Sequence, residues 1–88
     1  MTTAYLVELY VSRDDHTSVG LRAERARQAA AELTREGTAV RYVRSIFVPE
    51  DETCLLLYEA ESLAAVDAAA RRAGLAFDRI AAAEAAEA

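Results

Sequence analysis

The chain is poor in residues that mark out several classes of protein. Its 88 residues include one cysteine, one proline, one histidine and no tryptophan. A single cysteine permits no internal disulfide, which suits a reducing compartment, so we expect a cytoplasmic protein. The first residues carry no basic stretch and no long apolar run, so no signal peptide is predicted. No apolar run approaches the roughly 20 residues that a membrane-spanning helix needs, so no membrane partner is expected.

An excess of positive charge is also missing, since the net charge is −5 at pH 7. Nucleic acids and anionic membranes are bound through basic surfaces that displace counterions, so we predict no nucleic-acid partner. The arginines of segment 22–35 are interleaved with glutamates, which is typical of a solvated helix face. No catalytic or metal-binding motif of recognised spacing is present.

The length predicts a single domain, residues 1–88, because there is no room for a second core. A chain this short buries only about 60–65% of the surface that its extended form exposes. Association with a second copy would add buried area, so a homodimer is favoured.

The segment Tyr42–Glu59 has the pattern of a β-hairpin. Two apolar runs rich in β-branched and aromatic residues flank a polar break at Pro49–Glu52. The only proline lies where the first strand must end, because proline cannot donate to a strand ladder. With this loop, the predicted pairs across the hairpin are Val48 with Thr53, Phe47 with Cys54, Ser45 with Leu56, and Val43 with Tyr58.

The other elements lie on either side of the hairpin. Residues 4–11 predict a central strand that is apolar on both faces except at Glu8, and residues 76–82 a weaker fourth strand. A helix capped by Thr17 or Ser18 ends at Gly37, and a second, capped by Ser62, ends at Gly74. Residues 83–88 could extend the last strand, form a helical turn or be disordered. The predicted buried stripes are Val19, Ala23, Ala26, Ala30 and Leu33 in the first helix, and Leu63, Val66, Ala70 and Ala73 in the second.

This order of elements, βαββαβ, predicts an α+β fold of the ferredoxin-like type. Its sheet has four antiparallel strands, and both helices cover the same face. The opposite face has no cover of its own, so we expect it to meet a partner or to enclose a ligand.

Glu8 is the first candidate for a functional residue, because a carboxylate within an apolar strand must be solvated, paired or protonated. If it shares the uncovered face with Tyr10, Ser45, Cys54 and Tyr58, it lies in an apolar pocket with hydroxyls nearby. There it could serve as an acid or base, or orient a ligand. The alternative is a structural carboxylate paired with Arg44 or Arg41 of a neighbouring chain, or an interface residue.

Other candidates have equally simple structural interpretations. Cys54 is a possible ligand-binding residue, but a cysteine in this position can also simply be a small, buried apolar residue of the core. His16 with Asp14 and Asp15 could bind a metal from a loop, and exposed loop histidines are common. The tyrosines Tyr10, Tyr42 and Tyr58 could line a pocket or simply complete the sheet. The acidic residues 50–52 are interpreted as the solvated tip of the hairpin.

Three stretches resemble a known family: Tyr-Leu-Val-Glu-Leu-Tyr at 5–10, Tyr-Val-Arg-Ser-Ile-Phe-Val-Pro-Glu-Asp-Glu-Thr-Cys at 42–54, and Ala-Gly-Leu-Ala-Phe-Asp-Arg-Ile at 73–80. The family consists of small, mostly actinobacterial proteins, named as a domain of unknown function, and one member is described as a nickel-binding protein. The resemblance implies a ferredoxin-like fold that pairs two sheets into a dimeric α+β barrel. It also implies nickel or another divalent metal as a cofactor. Imidazole suits divalent nickel, and this chain has one histidine.

Two hypotheses of function follow. In the first, a homodimer holds a metal ion or small ligand at the uncovered face, through Glu8, Tyr10, Ser45, Cys54 and Tyr58, or through the His16 loop. In the second, the protein is a small cofactor-free enzyme, a monooxygenase or cyclase. Glu8 would then be the acid or base, and Tyr10 or Tyr58 the orienting donor.

Overall fold

A computed structural model describes residues 2–84 and confirms the predicted α+β fold with the order βαββαβ. The strands are β1 (Thr3–Tyr10), β2 (Val40–Val48), β3 (Thr53–Ala60) and β4 (Arg79–Ala83), and the helices are α1 (Thr17–Arg35) and α2 (Leu63–Arg72). Short 3-10 turns at Arg13–Asp15 and Pro49–Asp51 lead into α1 and β3. Predictions for residues 85–88 lie outside the described part.

The four strands form one antiparallel sheet in the order β2-β3-β1-β4, the ferredoxin-like arrangement. In β1 and β3 every second side chain is buried, because those side chains lie under the helices. The described chain measures 37 × 32 × 19 Å. Its smallest dimension fits one sheet and one layer of helices, since such layers lie about 10 Å apart.

Small side chains let the two helices lie close to the sheet. The buried faces of α1 and α2 consist largely of alanine, while the sheet supplies the larger core residues Val7, Leu9, Leu56 and Tyr58. Of the predicted stripes, Val19 and Ala23 are only partly buried and Leu63 is 49% exposed. The buried helix residues are Ala26, Ala29, Ala30 and Leu33 in α1, and Ala65, Val66, Ala69 and Ala70 in α2.

The ends of the helices agree in part with the sequence. Ser62 caps α2, because its Oγ accepts from the backbone N–H of Ala65 at 3.2 Å. Gly37 follows α1 with a left-handed φ of 105°, which non-glycine residues rarely adopt. The predicted cap of α1 by Thr17 or Ser18 is wrong. His16 occupies that position without a side-chain cap, and Ser18 Oγ instead donates to the carbonyl of Asp15.

The hairpin register is correct in its outer part and wrong near its base. The pairs from Val48–Thr53 to Ser45–Leu56 form as predicted, but a β-bulge at Val43 then shifts β2 by one residue. Tyr42, rather than Val43, therefore lies opposite Tyr58. An extra residue in one strand reverses the side-chain alternation beyond it, so Tyr42 and Ser45 both lie on the helix side.

Candidate functional site

The face of the sheet opposite the helices is uncovered in the described chain. We call it the open face. Its central residues, Leu6 and Leu57, are directly opposite each other on β1 and β3, and Ile46 at its edge is 47% exposed. Apolar side chains thus cover much of a surface that one copy leaves in contact with solvent. By strand alternation and register, the open face comprises Ala4, Leu6, Glu8, Tyr10, Arg41, Arg44, Ile46, Val48, Thr53, Leu55, Leu57, Glu59, Arg79, Ala81 and Ala83.

Glu8 lies on this open face, between Leu55 of β3 and Arg79 of β4. The distance from Arg79 Nε to Glu8 Oε2 is 3.8 Å, and the two side chains are 66% and 40% exposed. An ion pair this long and exposed contributes at most about 1 kcal/mol to stability. Glu8 is therefore only weakly engaged within its own chain and remains available to a partner or ligand.

The predicted grouping around Glu8 is wrong for three of its members. Ser45, Cys54 and Tyr58 lie on the helix side of the sheet, and Cys54 and Tyr58 are fully buried there. Tyr10 is on the open face but 61% exposed, and its hydroxyl donates to Glu52 Oε2 at 3.2 Å. The structure therefore separates Glu8 from Tyr58, one of the two orienting donors that the enzyme hypothesis named, and leaves Tyr10 on the same face as Glu8.

Two of the hydroxyls that were expected near Glu8, those of Ser45 and Tyr58, instead lie close to Tyr42 on the helix side of the sheet. Tyr42 Oη and Ser45 Oγ are 2.6 Å apart, and the rings of Tyr42 and Tyr58 meet edge to face with centroids 5.8 Å apart. The Tyr58 hydroxyl is buried and has no hydrogen-bond partner within residues 2–84. Burial, and to a lesser extent the neighbouring Tyr42, raise the pKa of Tyr58. A buried hydroxyl without a partner reduces stability, because it gives up its bonds to water.

Tyr58→Phe is therefore expected to raise the free energy of unfolding by about 1 kcal/mol at pH 7. The gain should grow above pH 10, because the phenol ionises in the unfolded chain while the fold keeps it protonated. Urea denaturation at pH 7 and pH 10.5 measures both effects. As a control, Tyr10→Phe removes a satisfied hydroxyl and should not stabilise. A destabilised Tyr58→Phe protein would mean that this hydroxyl has a partner.

Cys54 is fully buried, and burial raises the pKa of its thiol. The raised pKa leaves little of the thiolate, the form that reacts with disulfides and binds metals, and burial also keeps reagents away from the sulfur. We predict that a disulfide reagent at pH 8 modifies the native protein at least about 10³ times more slowly than protein in 8 M urea, because labelling requires unfolding. Rapid labelling of the native protein would show that Cys54 is accessible and restore it as a candidate ligand.

The metal candidates His16, Asp14 and Asp15 lie exposed between β1 and α1. Across residues 2–84, no three histidine, cysteine, aspartate or glutamate side chains come close enough to hold a metal ion. One copy of the described chain therefore does not supply the several nitrogen and oxygen ligands that nickel prefers.

Glu52 has a role that the sequence did not indicate. Its carboxylate folds back to accept from the backbone N–H of Arg13 at 3.1 Å and from the Tyr10 hydroxyl. The Arg13 N–H in particular lowers the pKa of Glu52. Glu52 also has a left-handed backbone, with a φ of 49°. These bonds fix the hairpin loop against the loop that carries His16, so Glu52 is not part of a solvated tip.

The comparisons with known proteins identify the family. A family model described as nickel responsive protein SCO4226-like matches residues 5–82. The chain belongs to this family. No curated protein and no solved structure gave a significant match. The family match confirms the resemblance seen in the sequence, and it associates the chain with nickel through the description of the family.

The helices give no sign of a membrane span. Within residues 2–84, neither helix is long and apolar enough to cross a bilayer.

Proposed function

We propose that the protein is a homodimeric binding protein, in which two copies meet through their open faces and hold a nickel ion or a small ligand between them. The observation that carries this proposal is the row of apolar side chains on the two central strands, Leu6, Leu55 and Leu57, which one copy leaves uncovered. Burial of apolar area is the main driving force of association, and twofold dimers are the commonest oligomers.

The charges on the open face also favour self-association. Arg44 lies on this face and has no carboxylate within 4.0 Å among residues 2–84, while Glu8 is held only weakly by Arg79. In a twofold dimer, Glu8 of one copy and Arg44 of the other could pair twice, since every contact is repeated by the symmetry. The sequence prediction that Glu8 pairs with an arginine of a neighbouring chain becomes part of this proposal.

The nickel part of the proposal depends on the dimer. A single described chain does not gather a ligand set, whereas two copies double the number of available imidazoles and carboxylates. His16 and Glu8 are the residues to test, because both are accessible and imidazole is a preferred nickel ligand. Buried Cys54 is a poor candidate in the folded protein.

Native mass spectrometry of untagged protein, with and without added nickel, zinc or copper, tests the proposal. We expect a dimer that retains nickel in a fixed ratio, or a co-purified small molecule. His16→Ala should lose the metal, Glu8→Gln should weaken its retention, and the control Glu61→Gln, an exposed change outside the open face, should behave as wild type. A dimer indifferent to metals and free of ligand would refute the binding function, and a monomer at 100 µM would refute the assembly.

A further inference from the structure

A groove lies on the helix side of the sheet, between the second half of α1 and the start of β2. Its volume is about 420 Å³, which falls in the range of small-molecule sites. Ala30 and Ala31 of α1 and Tyr42 of β2 form much of its apolar lining. Because β2 is an edge of the described sheet, no further strand closes the groove on that side. Of its lining residues, only Arg41 belongs to the open face by the strand register.

The charged residues that line this groove are all arginines, although the chain has a net charge of −5. They are Arg27, Arg35 and Arg41. Arg27 pairs with Glu24, and Arg41 pairs with Glu59 at 2.6 Å, but neither glutamate lines the groove. Arg35 has no carboxylate within 4.0 Å in residues 2–84, so at least one guanidinium group is free to bind an anion.

The Tyr42 ring connects the groove to the buried Tyr58. It lines the groove and also contacts the ring of Tyr58. Its hydroxyl is held by Ser45, which fixes the orientation of the ring. A planar apolar group in the groove would therefore meet an aromatic surface of fixed orientation, and such ring pairs add about 0.5–1.5 kcal/mol beyond their buried area.

We infer that this groove binds a small amphipathic anion, with an aromatic or aliphatic body against Ala30, Ala31 and Tyr42 and a carboxylate beside Arg35. The carboxyl end of α1 carries a partial negative charge of about one half, which opposes an anion. The full positive charge of Arg35, which is not offset by an ion pair within residues 2–84, exceeds this opposing partial charge. A carboxylate also matches the planar fork of arginine better than a neutral polar group does.

An NMR titration of the ¹⁵N-labelled full chain with 1-naphthoate tests the inference. We expect saturable shifts of the amides around Ala31 and Val40, and binding about fivefold weaker for 1-naphthylmethanol, which has the same ring and no charge. Arg35→Gln should weaken naphthoate binding by about the same factor. Arg25→Gln, on the same helix but outside the groove, is the matched control and should bind as wild type.

A second pair of variants tests the apolar part of the groove. Ala31→Leu fills it and should reduce naphthoate binding at least about tenfold, whereas Ala64→Leu on the exposed side of α2 should not. Equal binding of naphthoate and its alcohol, shifts confined to the open face, or no saturable shift at millimolar naphthoate would each overturn the inference. Equal naphthoate binding by the wild type and by Arg35→Gln would also overturn the inference.

Discussion

Leu57→Glu is expected to convert the proposed dimer into a folded monomer. Leu57 lies at the centre of the open face, opposite Leu6 on one side and Arg44 on the other. Twofold symmetry would bury two of the new carboxylates in each dimer, and loss of a central apolar contact typically costs at least about 2 kcal/mol per copy. The dissociation constant should therefore rise by at least about a thousandfold.

Analytical ultracentrifugation between 1 and 100 µM measures this change, and circular dichroism checks that the fold is retained. Leu21→Glu provides the matched control, because Leu21 is also an exposed leucine, at 55%, but lies on α1 and away from the open face. The control should remain dimeric. A dimer that survives Leu57→Glu with unchanged affinity would place the contact between copies elsewhere.

Leu56→Ala is expected to lower the free energy of unfolding by about 3 kcal/mol. Leu56 is fully buried beneath the helices, and replacing such a leucine removes its transfer energy and leaves a cavity. The cost is large for a chain of this size, whose total stability is expected to be only about 4–13 kcal/mol. Urea denaturation followed by circular dichroism measures it.

The adjacent Leu55 gives a matched comparison for this prediction. Leu55 is the same residue type on the same strand, but it points to the open face. The loss caused by Leu56→Ala should not depend on protein concentration, because its contacts are within one copy. The loss caused by Leu55→Ala should be larger at 100 µM than at 1 µM, since Leu55 contacts the second copy in the proposed dimer. The reverse pattern would contradict the assignment of the two faces.

The order of elements was predictable because each has a local signal. Apolar runs rich in β-branched and aromatic residues mark the central strands, Ser62 marks the start of α2, and Gly37 and Gly74 mark the ends of the helices. The bulge at Val43 was not predictable, since one extra residue in an apolar strand leaves no trace in composition. For the same reason the register was correct from Val48 to Ser45 and wrong beyond the bulge.

The candidate site was harder to predict than the fold. Strands β1 and β3 are apolar on both faces, so alternation alone did not decide which side of each strand meets the helices. The charged residues contained a usable signal: the face of the hairpin with Arg44 and Glu59 is the face that Glu8 shares. Glu52 was missed because its role depends on a left-handed backbone that no spacing rule predicts.

The bulge at Val43 also bears on aggregation. β2 is one edge of the described sheet, and an unpaired edge strand is a template on which further chains can add without limit. A bulge interrupts the regular spacing of the exposed amide and carbonyl groups and increases the local twist, so a second β2 cannot continue the ladder along its whole length. Growth through this edge is therefore disfavoured. The proposed contact through the broad face of the sheet differs from such growth, because a twofold contact stops at two copies.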